Sequence, residues 1–421
     1  MKKQNQKYYW EIGCEPPLID IHSIKKHEIL REYLSQYIKI VGGSYYSDSL
    51  TLTLVDAFAG GGLYKSKEGE YLDGSPLIFL KTSKEAEAYL ATIKKQFKLN
   101  ANYIFIDTNK IYLDYLKELL INEGFKKQIN NEIFLFNGSF ESKIDLIVNH
   151  IQKRKGKANR CIFLLDQYGY GDVPFYSIRR IFQSFDKAEI LLTFSVDFLI
   201  DYMNNSLKFQ KIFNKLNIAN FTKYLENFEE EKKQKHWRVI IQKKLYKHII
   251  EASGAKFHTN FFIKSSESSR SYWFLHLSQH MKAKDEMQKI HWKLENTFAH
   301  QGKGGFNMLA YYPEKDIEYT RQPHLPTFVF SNKDKETSMN LLMSELPALT
   351  TKEGMPVKLF FEKQCNQTTA TYDMIKEVIR NPMIRNEISL FTKNGHSKKN
   401  NSKINDKDII QRNQQKKLFH M

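Results

Sequence analysis

Residues 50–64 read Leu-Thr-Leu-Thr-Leu-Val-Asp-Ala-Phe-Ala-Gly-Gly-Gly-Leu-Tyr, an apolar run that ends in an aspartate and then opens into three consecutive glycines. Such a run is typical of a strand that is buried on both faces of a sheet. Glycines are needed where the chain turns sharply and where a Cβ atom would collide with a ligand. The stretch therefore predicts a buried strand and a turn that brings backbone N–H groups to a nucleotide-like ligand. The alternative is an ordinary glycine turn after a strand.

Short apolar segments alternate with helical patterns on both sides of this turn. The expected parallel strands are residues 50–58, 103–107, 132–138, 161–166 and 189–194. Alternation of this kind predicts an α/β fold with a doubly wound, Rossmann-like parallel sheet. Residues 256–263 and 271–277 are expected to form a closing hairpin, and residues 204–250 a helical insertion before it. A hairpin at this place is the usual end of the sheet in class I S-adenosylmethionine (SAM) methyltransferases.

Polar residues follow three of the expected strands, where open α/β sheets bind their ligands. In class I SAM methyltransferases the glycine turn has the sequence motif Asp-x-Phe-x-Gly-x-Gly, and residues Asp56 to Gly62 of this chain match that motif. Asp107 ends the second strand, where a carboxylate can accept hydrogen bonds from ribose hydroxyls; a turn or helix cap is the alternative. We expect SAM as the cofactor. The candidate cofactor-binding residues are Asp56, Phe58, Ala59, Gly60, Gly62, Asp107, Ser139 and Phe140, the last two as neighbours of the adenine ring.

The fourth strand ends in Asp166-Gln167-Tyr168-Gly169. Methyltransferases that act on base amines carry (Asp/Asn/Ser)-Pro-Pro-(Tyr/Phe) here, so that polar groups hold the target NH₂ and the aromatic ring stacks on the extruded base. Asp166, Gln167 and Tyr168 are therefore candidate catalytic residues, and Tyr170 is a candidate substrate contact. Neither proline is present and the aromatic residue stands one place early. An ordinary strand-ending turn with surface tyrosines is the alternative reading.

The chain has 421 residues and a formal net charge of +17, which predicts attraction to polyanions and to nucleic acid first, DNA before RNA. Residues 1–315 are expected to form the Rossmann-like domain and residues 316–395 a small winged-helix-like module. Residues 396–421, rich in Lys, Asn and Gln, are expected to be a disordered basic tail. Lys393, Lys398 and Lys399 are the candidate phosphate contacts.

Cysteine usage and hydropathy exclude several classes of protein. Cys14, Cys161 and Cys365 lie far apart, which argues against a disulfide framework and a structural zinc site and fits a reducing cytoplasm. No metal is expected. No run reaches the ~18 apolar residues that a membrane helix requires, so no membrane association is expected. His27, beside Lys26, is expected to be a surface histidine.

Several short motifs occur together in one order: His22-Ser-Ile-Lys-Lys-His-Glu-Ile-Leu30, Gly74-Ser-Pro-Leu77, Phe163-Leu-Leu-Asp-Gln-Tyr-Gly169 and Leu191-Leu-Thr-Phe-Ser-Val-Asp197. In these motifs the chain resembles the three-Cys-motif partner protein family (TcmP), a bacterial group with a SAM-methyltransferase-like domain, over about residues 20–300. The resemblance implies cofactor binding and a partner protein with the three-Cys motif, of iron–sulfur or radical-SAM type. The family usually has proline at Gln167 and at Gly61.

These observations favour a SAM-dependent methyltransferase that acts on nucleic acid, on a base amine, in a modification or phage-defence setting. The absent prolines favour the alternative, a catalytically degenerate adaptor with this fold that binds nucleic acid and a partner protein. A third hypothesis is a methyltransferase for small molecules or proteins, for which the positive charge would be incidental.

Overall fold

The structure is a computed structural model. It describes residues 8–45, 48–94, 96–154, 159–201, 207–218, 221, 230, 233, 237–264, 271–294, 300–301, 304–306, 327–328, 330–399 and 402–413. The chain divides into two compact units, residues 1–283 and 284–421. The sequence places this boundary later, after residue 315.

The first unit alternates strands with helices. Its elements, in chain order, are α1 (Ile21–Gly42), β1 (Ser49–Asp56), β2 (Leu63–Lys65), β3 (Tyr71–Asp73), α2 (Ser75–Ile93), β4 (Lys98–Asp107), α3 (Lys110–Asn122), β5 (Ile133–Asn137), α4 (Phe140–Lys153), β6 (Arg160–Leu165), α5 (Phe175–Ser184), β7 (Ala188–Phe194), α6 (Val196–Asp201), α7 (Leu207–Leu216), α8 (Trp237–Ser253), β8 (Phe257–Lys264) and β9 (Ser271–Ser278).

Seven of these strands form one sheet in the order β5-β4-β1-β6-β7-β9-β8. The first five are parallel, and β9 lies antiparallel between β7 and β8. The prediction of a Rossmann-like sheet of the class I SAM-methyltransferase type, closed by a hairpin, is confirmed. The strand order reverses at β1, whose neighbours are β4 and β6, and ligands bind at such a switch point in open α/β sheets.

Apolar residues cover both faces of the central strands. Every position of β7 is buried, as expected for a parallel strand between two layers of helices. Helix α1 turns a stripe of apolar side chains inward, among them Ile29, Leu34 and Ile38. Polar side chains also lie in this core, and among them Tyr33 of α1 donates a hydrogen bond to the carboxylate of Glu189. The imidazole of His276 lies 3.1 Å from that carboxylate.

The glycine-rich region contains a hairpin that the sequence does not predict. Strands β2 and β3 form this antiparallel hairpin directly after the glycine turn. The N-terminal segment, residues 8–20, runs beside this hairpin: the N–H of Ile19 donates to the carbonyl of Lys65 (2.9 Å), and the N–H of Lys65 donates to the carbonyl of Pro17 (3.0 Å). Strands of three residues are too short to show an alternating pattern. Of the expected insertion, residues 204–250, only α7, the start of α8 and a few single residues are described.

The second unit combines helices with a small sheet. Its elements are the helix α9 (Met281–Lys293), which spans the division, and then β10 (His300–Gln301), β11 (Thr327–Phe328), α10 (Asn332–Leu349), β12 (Met355–Pro356), α11 (Val357–Gln364), α12 (Tyr372–Arg380), β13 (Ile388–Phe391) and β14 (Ile409–Arg412). Strands β12, β14 and β13 form an antiparallel sheet in that order. Buried Lys284 of α9 donates to the carbonyl of Thr368 (3.0 Å).

The prediction that residues 396–421 form a disordered tail is wrong for the described residues up to residue 413. Strand β14 pairs with β13 over four residue pairs, and Ile404 and Ile410 are buried. Lys398, predicted to contact phosphate, instead binds Asp408 (2.6 Å) and is only 11% exposed. The lysine- and asparagine-rich composition hid a short strand that packs by its isoleucines. Residues 414–421 lie outside the described residues.

Among the described residues, no helix combines the length and the apolar composition needed to cross a bilayer. Within the same ranges, no group of three or more His, Cys, Asp and Glu side chains could hold a metal ion.

Candidate active site

A cavity of about 330 Å³ lies in the first unit at the carboxyl ends of β1, β4 and β6. Its volume falls at the lower end of the range of small-molecule pockets. Six of the predicted site residues line it together, namely Phe58, Gly60, Asp107, Asp166, Gln167 and Tyr168. They come from three separate regions of the chain, which the parallel strands bring to one edge of the sheet.

A hydrogen bond joins the glycine turn to the end of the neighbouring strand. The N–H of Gly60 donates to Oδ2 of Asp107 (3.0 Å), and the N–H of Asn109 donates to Oδ1 (2.8 Å). Gly60 has φ +56°, a left-handed conformation that favours glycine. Burial raises the pKa of Asp107, and its hydrogen bonds with the two N–H groups oppose this effect. Because each carboxylate oxygen has a second lone pair, Asp107 retains the capacity to accept from ligand hydroxyls.

Asp56 lies beneath the turn and not on the cavity wall. Its Oδ1 accepts a hydrogen bond from the N–H of Phe58 (3.1 Å), and the side chain is wholly buried. Oδ2 has no hydrogen-bond partner among the described residues. Burial raises the pKa of Asp56 to about 7. This carboxyl group therefore supports the turn from below, and Asp56 is not among the residues that line the cavity.

Ala59 and Gly62 of the turn are not among the residues that line the cavity. A Cβ atom on Gly62 would lie 2.7 Å from Cδ1 of Leu116, so glycine is needed there for packing against α3 and not for a ligand. Ala59 is buried, and its N–H donates to the carbonyl of Ile106 (2.9 Å). The fixed shape of the turn thus comes from backbone contacts within the sheet edge.

Two residues expected near an adenine ring have other surroundings. Ser139 caps α4, since its Oγ accepts from the N–H of Ser142 (3.2 Å). Phe140, the first residue of that helix, is buried in the core. Tyr170 is half-buried and is also not among the lining residues. A helix that begins directly after β5 therefore turns the predicted aromatic contact inward.

Asp166 forms an ion pair with a residue of α1. Both of its oxygens accept hydrogen bonds from Nζ of Lys26, each at 2.6 Å. Burial raises the pKa of the carboxyl, but the ammonium group of Lys26 outweighs burial, and the net pKa lies below the ordinary value. Asp166 is therefore an anion at neutral pH, with both oxygens engaged by one cation.

The two residues after Asp166 differ in exposure. Gln167 is buried, and its Oε1 accepts from the N–H of Asp172 (3.0 Å), which braces the loop after β6. Its Nε2 has no partner among the described residues. Tyr168 is 69% exposed at the cavity mouth. The tyrosine thus has a free ring face for a substrate, whereas the glutamine mainly stabilises the loop.

His27 is not the surface histidine that the sequence predicts. It lines the cavity beside Lys26, and its ring centroid lies 5.9 Å from that of Tyr64. Burial, and next the charge of Lys26, lower its pKa to about 4. At neutral pH it is an uncharged imidazole.

An aromatic wall that the sequence does not predict lies against the glycine turn. Trp10 donates from Nε1 to the carbonyl of Leu63 (2.6 Å), and its ring centroid lies 5.2 Å from Tyr64 and 5.0 Å from Tyr112. A Cβ atom on Gly60 would lie 2.9 Å from the indole, so the missing side chain makes room for it. No local pattern connects residue 10 with residue 60, which are 50 positions apart in the numbering.

Comparisons with known proteins give only distant structural likenesses. No protein-family model matches the sequence. No curated protein matches it either. A crystal structure of WbdD has a TM-score of 0.32 and 9% identity over 61% of this chain, and the match spans 40% of that protein's chain. A METTL16 methyltransferase domain has a TM-score of 0.28 and 10% identity, with 58% of this chain and 66% of that one covered.

The N-terminal domain of human METTL16 in complex with SAH has a TM-score of 0.27 and 9% identity, with 60% of this chain and 70% of that one covered. TM-scores below 0.5 carry no functional argument. The fold assignment rests on the strand order and strand directions of this chain.

Proposed function

We propose that this chain is a SAM-dependent methyltransferase that acts on an exocyclic amine of a nucleic acid base. The observation that supports this most strongly is the composition of the cavity. One wall has the glycine turn fixed to Asp107, and another has the Asp166-Gln167-Tyr168 sequence at the end of β6. A cofactor side and a substrate side therefore share one space.

The residues on the cofactor side fit an adenosyl group. Asp107 keeps acceptor capacity for ribose hydroxyls, and Gly60 lets the backbone approach closely. Trp10 and Tyr64 offer apolar ring surface beside the turn. SAM, when bound, supplies an electrophilic methyl group.

The substrate side suits orientation of an amine. Asp166 is ionised and can accept a hydrogen bond from the target NH₂, while exposed Tyr168 offers a ring on which an extruded base can stack. Methyl transfer to an amine depends more on orientation than on acid–base catalysis. The neutral imidazole of His27 is consistent with a site in which no strong base is required.

The second unit supports the nucleic acid part of the proposal. From α10 onward its element order is helix, strand, two helices and two strands, with the three strands in one sheet, and this order supports the winged-helix-like module that the sequence predicts. The loop between β13 and β14, which we call the wing, exposes four lysines: Lys393, Lys399, Lys403 and Lys407. Phosphate contacts from such lysines supply sequence-independent affinity. We propose DNA before RNA as the nucleic acid substrate.

The same proposal includes membership of the TcmP family and a partner protein with the three-Cys motif. It also includes a cytoplasmic location and a role in modification or phage defence. The family and the partner protein rest on the motifs at residues 22–30, 74–77, 163–169 and 191–197, and the cytoplasmic location rests on the wide separation of the three cysteines.

Transfer of radiolabelled methyl groups tests the proposal. The purified protein is incubated with labelled SAM and with DNA, RNA or a protein mixture in separate reactions. We expect label in nucleic acid, DNA first, and a loss of at least ~100-fold with Asp166→Ala, because the amine is no longer held in the orientation for transfer. Asp172→Ala is the control, because its backbone N–H contact with Gln167 remains. Absence of label from every nucleic acid, with SAM bound, would contradict the proposed substrate.

A second candidate function is a catalytically degenerate adaptor that binds nucleic acid and a partner protein. Two observations favour it: Trp10 lies against the glycine turn, and the Oε1 of Gln167 is engaged by the loop, where it accepts from the N–H of Asp172. An adaptor would shift DNA in a gel without binding SAM. The methyltransferase proposal requires both activities in the same preparation.

A further inference from the structure

We propose that Lys26 reads the target base by donating a hydrogen bond to the ring nitrogen next to the amine that Asp166 holds. This inference rests on the proposed function and names its substrate class. The site takes adenine or cytosine, the bases whose Watson–Crick edge presents an amino group beside an acceptor nitrogen of the ring.

The geometry provides a donor and an acceptor side by side. Nζ of Lys26 lies 2.6 Å from each oxygen of Asp166, and both residues line the cavity. Their side chains are 14% and 25% exposed, so they are shielded from bulk solvent but still reach the cavity surface. Lys26 is the one Lys or Arg among the described residues that line this space.

The exchange of hydrogen bonds balances. An ammonium group has three N–H donors, and a carboxylate accepts only. When the amine donates to one oxygen of Asp166, the N–H of Lys26 that it replaces becomes available for the ring nitrogen. Lys26 keeps its bond to the other oxygen. The displaced N–H of Lys26 and the ring nitrogen of the base thus become partners, and neither is left without a hydrogen bond, which would otherwise cost binding energy.

Base discrimination follows from the order of donor and acceptor. Adenine presents N6–H₂ beside N1, and cytosine presents N4–H₂ beside N3, which match the acceptor and donor of the pair. Guanine and thymine present a carbonyl oxygen beside a ring N–H, which places acceptor against acceptor and donor against donor. A flipped base is read on this edge, and mismatched polar groups in a closed site reject it strongly.

Oligonucleotides that contain 1-deazaadenine or 3-deazacytosine test the inference, because each replaces the ring nitrogen by C–H and keeps the amine. We expect the unmodified enzyme to methylate one natural base and to lose roughly 10- to 100-fold in rate on the matching deaza base. The two arms distinguish adenine from cytosine. An enzyme that methylates a natural base and its deaza analogue equally fast would overturn the inference.

Substitution of Lys26 gives an independent measurement. We expect Lys26→Met to slow transfer to the natural base by a similar factor and to respond no longer to the deaza substitution. Lys25→Met is the matched control: its residue lies on the same helix and pairs with Glu28 at 2.8 Å, and we expect full rate and full discrimination.

The outcomes separate the two proposals. Two results overturn the inference and leave the methyltransferase proposal intact. In the first, a folded Lys26→Met variant still methylates the natural base faster than the deaza base. In the second, the enzyme methylates guanine as fast as the natural base. No transfer to any natural base overturns the proposed function, and the inference with it. The deaza comparison on the unmodified enzyme decides the question even if the variant does not fold.

Discussion

The N–H of Gly60 donates a hydrogen bond of 3.0 Å to Oδ2 of Asp107, so the turn after β1 is fixed to the carboxyl end of β4. On the other side of this turn, the indole of Trp10 occupies the space that a side chain at Gly60 would need. The turn is thus held by a hydrogen bond with Asp107 on one side and packed against the indole of Trp10 on the other, and both contacts border the same cavity.

Gly60→Ala should destabilise the first unit more than an ordinary glycine substitution. The new Cβ atom at φ +56° would stand 2.9 Å from the indole, so strain and overpacking add. Gly69→Ala is the matched control, since Gly69 also has a positive φ (+93°) but has nothing within 4 Å of the added atom. We expect Gly60→Ala to lower the free energy of unfolding by about 1 kcal/mol more than the control. Equal losses in urea unfolding would contradict the packing of Trp10.

The buried carboxyl of Asp56 should make stability depend on pH. Burial raises its pKa from 3.8 to about 7, so between these values the folded protein binds a proton that the unfolded chain has lost. The free energy of unfolding therefore falls as the pH rises from 4 to 7, by at most about 4 kcal/mol. Asp56→Asn keeps an oxygen for the N–H of Phe58 and removes the titration.

We expect a flatter pH profile for Asp56→Asn and an unchanged one for Asp114→Asn, which lies on the exposed face of α3. Chemical unfolding at several pH values measures both. A profile with the same slope in Asp56→Asn and in the unmodified protein would show that this carboxyl is ionised in the folded state.

Nucleic acid binding should depend on the wing. Lys393→Glu with Lys399→Glu reverses two exposed charges there, and each lost phosphate contact reduces the slope of log K against log salt by about 1. Lys333→Glu with Lys335→Glu makes the same change of charge on α10 and serves as the control. Fluorescence anisotropy over a salt series compares them. Equal losses in both pairs would indicate a non-specific effect of net charge.

Lys398 should contribute to stability and not to binding. Its ion pair with Asp408 is largely buried, and loss of one partner of such a pair costs about 3–5 kcal/mol. We therefore expect Lys398→Met to destabilise the second unit strongly, whereas Lys393→Met changes stability by about 0.5 kcal/mol or less. A stable Lys398→Met variant with weakened DNA binding would restore the phosphate role.

The sheet could be predicted from the sequence because its signals are local. The strands β1, β6 and β7 are short segments rich in apolar residues, and their alternation with amphipathic helices indicates the fold class. Asp107 and Asp166 were identified because they end such runs. The carboxyl ends of parallel strands meet at one edge, so two of the acidic residues of the site followed from the same pattern.

The rest of the site depends on contacts between distant segments. Lys26 and Asp166 are 140 positions apart, and nothing in either local sequence indicates the pair. Trp10 reaches the glycine turn only because the N-terminal segment runs beside the β2–β3 hairpin. Phe140 stands at a strand end, like Asp107, but the helix that begins there turns it into the core. The short strand β14 was hidden by the polar residues around it.

Titration calorimetry with S-adenosylhomocysteine, on the unmodified protein and on Asp107→Ala, tests the cavity as an adenosyl site most directly. We expect one ligand per chain, with an affinity at least ~10-fold weaker in Asp107→Ala because hydrogen bonds to a charged acceptor are lost. Asp114→Ala should bind as the unmodified protein does. Absence of binding to the folded unmodified protein, or equal affinity in Asp107→Ala, would contradict the account.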